Sequence, residues 1–403
     1  MTRTGLRRTA AAPAWALAAT LVACGGNSPS PTPRPSATAK ATPTPTASAT
    51  ATPAATAAAP ATPTADSCAV GPQTPPQGTM PANYPTALAF APDGRLFWTE
   101  RSGTVRVWQD GAARDFAHVS TVTTEQGGGY SERGLLGLAI SPTFASDHDV
   151  YAFYSDANYT QQHVIRWRDC AGASSQAQVI ITLPSGGDCC HKGGRLAFGK
   201  DGMLYVTLGE EHTSTAAQNT GDVRGKILRY KPDGGVPADN PFGATNPVWA
   251  YGLRNPFGIA FSANGEMALT SNGPSGDAGS PHTGYDLLYS SVQRGTGYQW
   301  PDCYGYSHPL ATPSCPVGQP GPDWSSESGT VVPTGVTFVD ASGPSAYAGH
   351  IVFCTFDVGM QIFTPGSPHG SVSGGPSTCR LDVKQGPDHA LYWSDASHIY
   401  RGA

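Results

Sequence analysis

Three segments of the sequence carry side chains capable of proton transfer or anion binding, and each is followed by an apolar run. In the first, His191 and Lys192 are followed by two glycines, so a side chain that titrates near neutral pH lies close to backbone without side-chain bulk. In the second, Arg254 offers a planar fork for carboxylates and Asn255 offers both a donor and an acceptor. In the third, Glu132 and Arg133 form an adjacent pair of opposite charge. Each segment taken singly also fits a structural role, as a residue that secures a loop.

A repeated pattern of strand, turn and strand must position these segments. Asp-Gly and Asn-Gly pairs between alternating apolar runs predict hairpins, and six apolar residues mark six copies at a period of roughly 59 residues. These markers are Phe90, Ile140, Phe198, Phe261, Phe338 and Val383. Short strands repeating at this period predict an all-β fold, a six-bladed β-propeller of four-stranded antiparallel blades. The alternative is a pair of packed β-sandwiches.

A propeller gathers loops from every blade around one end of its central channel. The segments at residues 132, 191 and 254 lie far apart in the chain, yet this fold would bring them into a single pocket. The sequence therefore predicts one shared site.

The first 67 residues are predicted to be an export signal and a tether. Residues 1–23 combine three arginines with an uncharged apolar run, and the following Cys24 completes a pattern that resembles the bacterial lipobox. Residues 24–67 form a linker, because 36 of the 40 residues from 27 to 66 are Ala, Thr, Pro or Ser. Residues 68–403 then form the propeller. We expect a bacterial cell-envelope protein, extracytoplasmic and held to the membrane through its lipid alone; the alternative is an ordinary signal peptide with an incidental cysteine.

The cysteines agree with that compartment. Apart from Cys24, eight remain, an even number in a chain bound for an oxidising space, and we expect mostly disulfides. Cys303 with Cys315 is the predicted local pair, and Cys354 with Cys379 a second. Residues 189–191 read Cys-Cys-His, but the absence of a second pair at finger-like spacing argues against zinc.

The charge of the chain excludes one class of partner. Charged residues make up 13% of the sequence, and the formal net charge is −5. A nucleic-acid-binding protein needs a basic face, and this composition does not supply one.

Seven segments that occur in a constant order resemble the glucose/sorbosone dehydrogenase family, which includes soluble quinoprotein aldose sugar dehydrogenases. They lie at residues 132–137, 191–199, 218 with 224–229, 237–242, 252–258, 273–274 and 297–301. The resemblance covers about residues 80 to 400. It implies a six-bladed propeller that binds pyrroloquinoline quinone (PQQ) and Ca²⁺ at the top of the channel.

The resemblance also implies a role for each motif residue. His191 would be the base that takes the proton of a sugar C1 hydroxyl while hydride passes to the quinone. Arg254 would polarise the quinone or the substrate oxygen, with Asn255 beside it. The backbone carbonyls of Gly273 and Pro274 would ligate Ca²⁺, a hard cation that prefers oxygen.

Three further residues match positions of the pocket that receive the sugar. Glu132 and Glu210 correspond to polar positions facing the substrate. Trp300 would offer an apolar face to a pyranose ring.

The sequence departs from the family pattern where the carboxylates of PQQ are usually held. A lysine of the fifth blade is replaced by Asp357, and an Arg-x-Arg of the sixth blade reads Cys-Arg-Leu at residues 379–381. Arg133, Arg195 and Arg254 would then have to supply the positive charge, and Arg380, also predicted to bind the cofactor, stands one position out of phase. On a strand, such an offset points a side chain to the opposite face.

Two classes of function follow. The first is a membrane-tethered quinoprotein that oxidises aldoses or related polyols and passes electrons to an external acceptor, since no haem-attachment motif is present. The second is a non-catalytic propeller that has lost PQQ and binds cell-surface carbohydrate. A hydrolytic propeller such as a lactonase is a third alternative, which would need carboxylates around a metal.

Overall fold

The computed structural model describes residues 68–186, 189–276 and 283–402. The predicted signal peptide (1–23), the lipidated Cys24 and the linker (24–67) lie outside the described residues. Within the described part of the chain, no helix is long and apolar enough to span a membrane.

The described residues form short strands with two small helical turns. In chain order the first strands are β1 (Thr79–Pro81), β2 (Pro85–Phe90), β3 (Leu96–Glu100), β4 (Thr104–Gln109), β5 (Ala112–His118), β6 (Leu135–Ile140), β7 (Asp149–Ser155), β8 (Gln161–Cys170), β9 (Ala173–Pro184), β10 (Leu196–Phe198), β11 (Leu204–Leu208), β12 (Lys226–Tyr230) and β13 (Val248–Tyr251). The others are β14 (Asn255–Phe261), β15 (Met267–Asn272), β16 (Leu287–Tyr289), β17 (Cys303–Tyr304), β18 (His308–Pro309), β19 (Trp324–Ser325), β20 (Pro333–Phe338), β21 (Ile351–Thr355), β22 (Gln361–Thr364), β23 (Ser371–Gly374), β24 (Val383–Gln385), β25 (Leu391–Ser394) and β26 (His398–Arg401). The helix α1 spans Phe144–Asp147, and a 3₁₀ turn spans Ser214–Ala216.

Six four-stranded antiparallel sheets form the blades of a β-propeller, as predicted. Blades 1 to 5 are β2–β5, β6–β9, β10–β13, β14 to β16 with β19, and β20–β23. Blade 6 combines β24–β26 with β1, where Thr79 pairs with Tyr400, so strands from both ends of the propeller complete one sheet. The sandwich alternative is wrong.

The innermost strands of the blades contact one another in a closed ring. The order is β2, β6, β10, β14, β20 and β24, and β24 returns to β2. All six marker residues of the repeat lie on these strands, and five of them are the last residue of their strand. The alternating apolar pattern therefore located the wall of the channel.

Apolar side chains between neighbouring blades supply the core. Between blades 1 and 2, Phe97, Phe116 and Trp167 form a run of edge-to-face ring contacts, with centroids 5.3 Å apart for the first two rings and 6.2 Å for the last two. All three side chains are buried. Full burial of such a side chain contributes roughly 1.5–3 kcal/mol, so the blades hold one another largely through these faces.

Four disulfides join the eight cysteines of the described chain. Both predicted pairs are confirmed, Cys303 with Cys315 and Cys354 with Cys379. Two further pairs are Cys68 with Cys170, 102 residues apart in sequence, and the consecutive residues 189–190. The last pair uses the Cys-Cys dipeptide that precedes His191.

The three motif segments all lead into innermost strands. Residues 132–134 precede β6, residues 189–195 precede β10, and residues 252–254 precede β14. Since all innermost strands begin at the same end of the channel, these loops meet there, and the Asp-Gly hairpins lie at the other end.

Candidate active site

A cavity of about 390 Å³ lies at the channel end where the innermost strands begin. Its lining comes from loops of blades 2 to 5. The lining residues are Tyr130, Glu132, Cys190, His191, His212, Arg254, Asn255, Asn272, Gly273, Pro274, Ser275, Gly284, Asp286, Thr330 and Val332. Six residues predicted from sequence are therefore brought together: Glu132, His191, Arg254, Asn255, Gly273 and Pro274.

His191 is held by a buried carboxylate. Its Nδ1 contacts Oε1 of Glu210, whose side chain is fully buried. The Glu210 backbone N–H donates to the Arg254 carbonyl (2.8 Å), which connects the loop after β11 to the loop before β14. Glu210, predicted to face a substrate, is instead the partner of the imidazole and does not line the cavity.

A second imidazole stands against the first. The rings of His191 and His212 meet edge to face, with centroids 4.2 Å apart. Both residues line the cavity. His212 was not predicted from the sequence, although it closes a run of three titratable residues, 210–212, soon after an apolar strand.

Two glycines allow the backbone around His191 to pack closely. A Cβ on Gly209 would lie 2.0 Å from the His191 carbonyl oxygen, so no side chain fits there. Gly193 has a φ of +59°, in the left-handed region that favours glycine. His191 itself has a φ of +57°, uncommon for a residue with a Cβ.

Arg254 stacks over Trp300 at the edge of the cavity. The guanidinium carbon lies 5.6 Å from the ring centroid of Trp300, a cation–π contact. Its Nη1 also donates to the carbonyl of Asn272 (3.4 Å). Trp300 is 5% exposed and does not line the cavity of about 390 Å³, but it lines a small adjoining pocket together with Arg254 and Gly273. The predicted contact of its ring with a sugar stays a prediction.

Asn255 and Glu132 cross-link three blades. The Asn255 Nδ2 donates to Oε2 of Glu132 (3.2 Å) and to Oδ1 of Asn272 (3.0 Å). The Asn255 Oδ1 accepts from the backbone N–H of Gly193 (3.2 Å), and Lys192 N–H donates to Glu132 (3.2 Å). This network holds the loops of blades 2, 3 and 4 in register around the cavity.

Gly273 and Pro274 form an oxygen-rich rim with a buried carboxylate beside them. The Gly273 N–H donates to Oδ1 of Asp286 (2.9 Å). The other oxygen of Asp286 accepts from the backbone N–H groups of Val331 (2.8 Å) and Val332 (2.9 Å). Asp286 lines the cavity and was not singled out from the sequence, where an isolated Asp carries no signal.

A second cavity of about 180 Å³ shares four lining residues with the first. The shared residues are Tyr130, Glu132, Asn272 and Val332. Its other lining residues include the aromatic and aliphatic side chains of Tyr84, Leu136, Phe257, Phe356 and Leu381, with Arg101 and Arg195 as the cations. It extends the site toward blades 1, 5 and 6.

Arg195 lies in this second cavity and binds backbone. It donates to the carbonyls of Leu136 (3.2 Å), Leu381 (3.0 Å) and Thr86, so one side chain joins blades 1, 2 and 6. Its guanidinium carbon also lies 4.6 Å from the ring centroid of Phe257. Arg195 was predicted to bind a cofactor, and this stays a prediction: Nη1 and Nη2 donate to backbone carbonyls, whereas Nε has no hydrogen-bond partner among the described residues.

Residues 82–397 match the family model described as Glucose / Sorbosone dehydrogenase. The chain belongs to this family. It is 31% identical over 231 residues to Aldose sugar dehydrogenase YliI of Escherichia coli, an alignment covering 54% of this chain and 59% of that protein. It is 28% identical over 259 residues to Quinoprotein glucose dehydrogenase B of Acinetobacter calcoaceticus, covering 56% and 51%. These alignments span between half and three-fifths of each relative.

A solved structure shows the same fold. The apo-form crystal structure of the soluble aldose sugar dehydrogenase from Escherichia coli is 25% identical in sequence, with a TM-score of 0.66. The alignment covers 79% of this chain and 95% of that one.

This member of the glucose/sorbosone dehydrogenase family lacks cations at the blade 5 and blade 6 positions. Asp357 is exposed and lines neither cavity, and Leu381 contributes an apolar surface to the second. Arg380 donates to the carbonyls of Ser377 (2.8 Å), Asp357 (3.4 Å) and Phe356, and it lines neither cavity. Arg380 therefore lies apart from Arg195 and Arg254, the other cations predicted to bind the cofactor.

A buried ionic cluster lies behind the His191 loop. Lys192 donates to Glu211 (2.9 Å), and both side chains are fully buried. Arg133 donates to the carbonyl of Gly186 (2.6 Å) and to Ser185 Oγ (3.1 Å). Burial lowers the pKa of Lys192, and the neighbouring Glu211 carboxylate opposes that shift. The cluster ties the loop before His191 to blades 2 and 3.

Proposed function

We propose that this chain is a PQQ-dependent oxidoreductase that oxidises the C1 hydroxyl of aldoses or related polyols and passes electrons to an external acceptor. One observation carries the proposal: His191, held by the buried Glu210, shares a cavity with Arg254 and Asn255. The names of two relatives, an aldose sugar dehydrogenase and a quinoprotein glucose dehydrogenase, support it.

The residues of the cavity fit a quinone and a calcium ion. PQQ, when bound, supplies an electrophilic quinone that accepts hydride from a sugar carbon. Arg254 would hold its oxygens, Asn255 beside it would keep Glu132 and Asn272 in place, and the carbonyls of Gly273 and Pro274 would hold Ca²⁺. The volume of about 390 Å³ lies within the range of small-molecule sites. The carboxylate of Asp357 lies outside both cavities, so it does not oppose an anionic ligand.

His191 acts as the general base in this proposal. The Glu210 carboxylate accepts the Nδ1 proton, which leaves Nε2 as the basic nitrogen that takes the proton of the sugar hydroxyl. Once the imidazole is charged, the same carboxylate stabilises it, as in other carboxylate–histidine pairs. Burial of Glu210 strengthens that stabilisation because water does not screen the two groups.

Arg254 and Glu132 orient the reactants. The cation of Arg254 at the cavity edge favours negative charge that develops on a bound oxygen. Glu132, placed by Asn255 and Lys192, presents a hydrogen-bond acceptor suited to sugar hydroxyls.

The proposed location is the outer side of a bacterial membrane. The predicted signal peptide and the lipidated Cys24 would anchor the chain, with residues 24–67 as a tether. Four disulfides in the described residues agree with an oxidising compartment.

Calorimetric titration of PQQ into the full-length protein with millimolar Ca²⁺ tests the proposal. Arg254→Met is expected to weaken binding by roughly 10- to 100-fold, because a charged hydrogen-bond donor is lost. His191→Asn is expected to keep binding but to lower kcat for aldose-dependent dye reduction by about 10³-fold. The exposed Arg294→Met is the matched control and should match wild type.

A specific observation supports the alternative, a carbohydrate-binding propeller without PQQ. The family's cation positions in blades 5 and 6 hold Asp357 and Leu381. If the full-length protein shows no heat with PQQ and no thermal protection, while aldoses or glycans bind, the enzyme proposal is wrong and this alternative replaces it.

A further inference from the structure

The disulfide between Cys189 and Cys190 joins consecutive residues and closes a small ring around one peptide bond. A disulfide stabilises a protein mainly by shortening the loops of the unfolded chain, and the effect grows with the number of residues enclosed. The pair of Cys68 and Cys170 has a sequence separation of 102, whereas this pair has a separation of 1. Its contribution to global stability is therefore the smallest of the four, and its effect must be local.

The ring is part of the cavity wall and is anchored to blade 2. Cys190 lines the cavity beside His191. The Cys189 carbonyl accepts hydrogen bonds from the backbone N–H of Glu132 (2.9 Å) and from Ser131 Oγ (3.0 Å). Because its carbonyl is held by these two hydrogen bonds, the peptide plane between Cys189 and Cys190 has little freedom to reorient.

His191 follows the ring directly and has a backbone conformation that few side-chain-bearing residues adopt. Its φ of +57° must be maintained by its surroundings. On the far side, the Lys192 N–H donates to Oε2 of Glu132 (3.2 Å). The residues on both sides of His191, the disulfide ring and Lys192, are thus hydrogen-bonded to the loop of residues 131–132.

We propose that the Cys189–Cys190 disulfide is a positioning element for His191. The closed ring limits the backbone to the conformation in which the imidazole meets Glu210 and faces the cavity, and opening the ring releases that constraint. The inference rests on the proposed function, in which His191 is the base. Loss of this disulfide should therefore leave folding intact and lower the rate of turnover.

The double variant Cys189→Ala/Cys190→Ala tests this. Because a misplaced catalytic group costs rate more than affinity, kcat for aldose oxidation should fall by roughly 100-fold. The Kd for PQQ should stay within about threefold of wild type and Tm within a few degrees. The matched control, Cys68→Ala/Cys170→Ala, should show the reverse: a Tm lower by several degrees and an unchanged kcat.

Reduction of the wild-type protein gives a second measurement that needs no variant. The phosphine TCEP supplies two electrons to the S–S bond, the sulfurs take up two protons, and the phosphine becomes its oxide with oxygen from water. Activity should fall on reduction and return after reoxidation. The Cys189→Ala/Cys190→Ala variant should be insensitive to the same treatment, which assigns the effect to this pair.

A spectroscopic readout separates failure of this proposal from failure of the proposed function. In ¹⁵N-histidine spectra, assigned with His191→Asn, a positioned His191 gives the signature of a single tautomer with the proton on Nδ1. The double variant should shift toward averaged tautomers even if the protein oxidises no sugar. A variant with kcat within about twofold of wild type, or with unchanged His191 resonances where no turnover exists, would overturn the proposal.

Discussion

The two sides of the channel mouth differ in the polarity of the side chains that line them. The polar wall, from the loops before β6, β10 and β14, comprises Glu132, His191, Arg254 and Asn255. The apolar wall, from blades 1, 5 and 6, comprises Tyr84, Val332, Phe356 and Leu381. Tyr84, Val332 and Leu381 precede innermost strands, as the loops of the polar wall do, whereas Phe356 follows β21.

The difference shows that an equivalent position in each blade does not imply an equivalent chemical role. On the polar wall, donors and acceptors bind one another around a cavity and remain on its lining. On the apolar side, Arg195 lines the second cavity and donates from Nη1 and Nη2 to carbonyls of three blades. The side chains suited to proton transfer and anion binding are therefore concentrated on blades 2 to 4.

Arg195→Met should produce the largest effect on stability. It leaves buried carbonyls without a donor and removes a cation 4.0 Å from the buried Asp382, which should lower the free energy of unfolding by about 3–5 kcal/mol. Urea denaturation measures the change, and Arg294→Met on the surface should stay within about 0.5 kcal/mol. A variant with normal stability but no affinity for PQQ would place Arg195 in the ligand site. It would contradict the division between a polar and an apolar wall.

Glu210→Gln should impair the polar wall selectively. The amide no longer stabilises a charged His191, so we expect kcat to fall by about 100-fold while the Kd for PQQ is unchanged. Steady-state kinetics and calorimetry separate these effects, and the exposed Glu266→Gln is the control. Equal loss of kcat in both variants would show that the carboxylate of Glu210 has no special role.

The buried Lys226 should make the stability of the region next to the polar wall depend on pH. Its ammonium donates to the carbonyls of Ala216 (2.7 Å) and Ala217 (3.0 Å), close to the loop that carries Glu210. Burial lowers the pKa of Lys226 from 10.5 to about 7. Between these values the unfolded chain binds the proton and the folded chain does not, so stability should rise with pH, by at most about 1.4 kcal/mol per pH unit.

Urea denaturation of wild type and Lys226→Met from pH 6 to 10 isolates this contribution. The wild-type free energy of unfolding should increase relative to the variant as pH rises above 7. Parallel pH curves for the two proteins would contradict the shift.

Asp357→Lys should have the smallest effect. It restores the residue type of the family pattern, but residue 357 lies outside both cavities, so the affinity for PQQ should change by less than about twofold. Asp340→Lys at the other end of the channel is the control. A tenfold gain restricted to Asp357→Lys would mean that the apolar wall takes part in anion binding.

The fold could be predicted because its signal is local and repeated. Residues such as Phe90, Phe198 and Phe261 end an innermost strand and precede a Gly-containing hairpin. Alternation and turn chemistry act over a few residues and therefore survive in the sequence. The same regularity implied that His191 and Arg254, each preceding an innermost strand, would meet.

The partners of individual side chains were not predictable in this way. Arg195 reaches carbonyls at Thr86 and Leu381, 109 and 186 residues away in the chain, and nothing near Arg195 in sequence specifies them. The contact of Trp300 with Arg254, and those of Arg380 with the carbonyls of Phe356 and Asp357, likewise join residues distant in the chain.

The sequence by itself determined a six-bladed propeller, two of its disulfides and the loops that reach one cavity, because strand periodicity and turn residues act locally. Only the tertiary structure decided that Glu210 binds His191, that Arg195 serves the fold, and that Cys189 pairs with its immediate neighbour. These outcomes depend on which buried groups lie within hydrogen-bonding or bonding distance once the blades close, and burial makes each unsatisfied group costly.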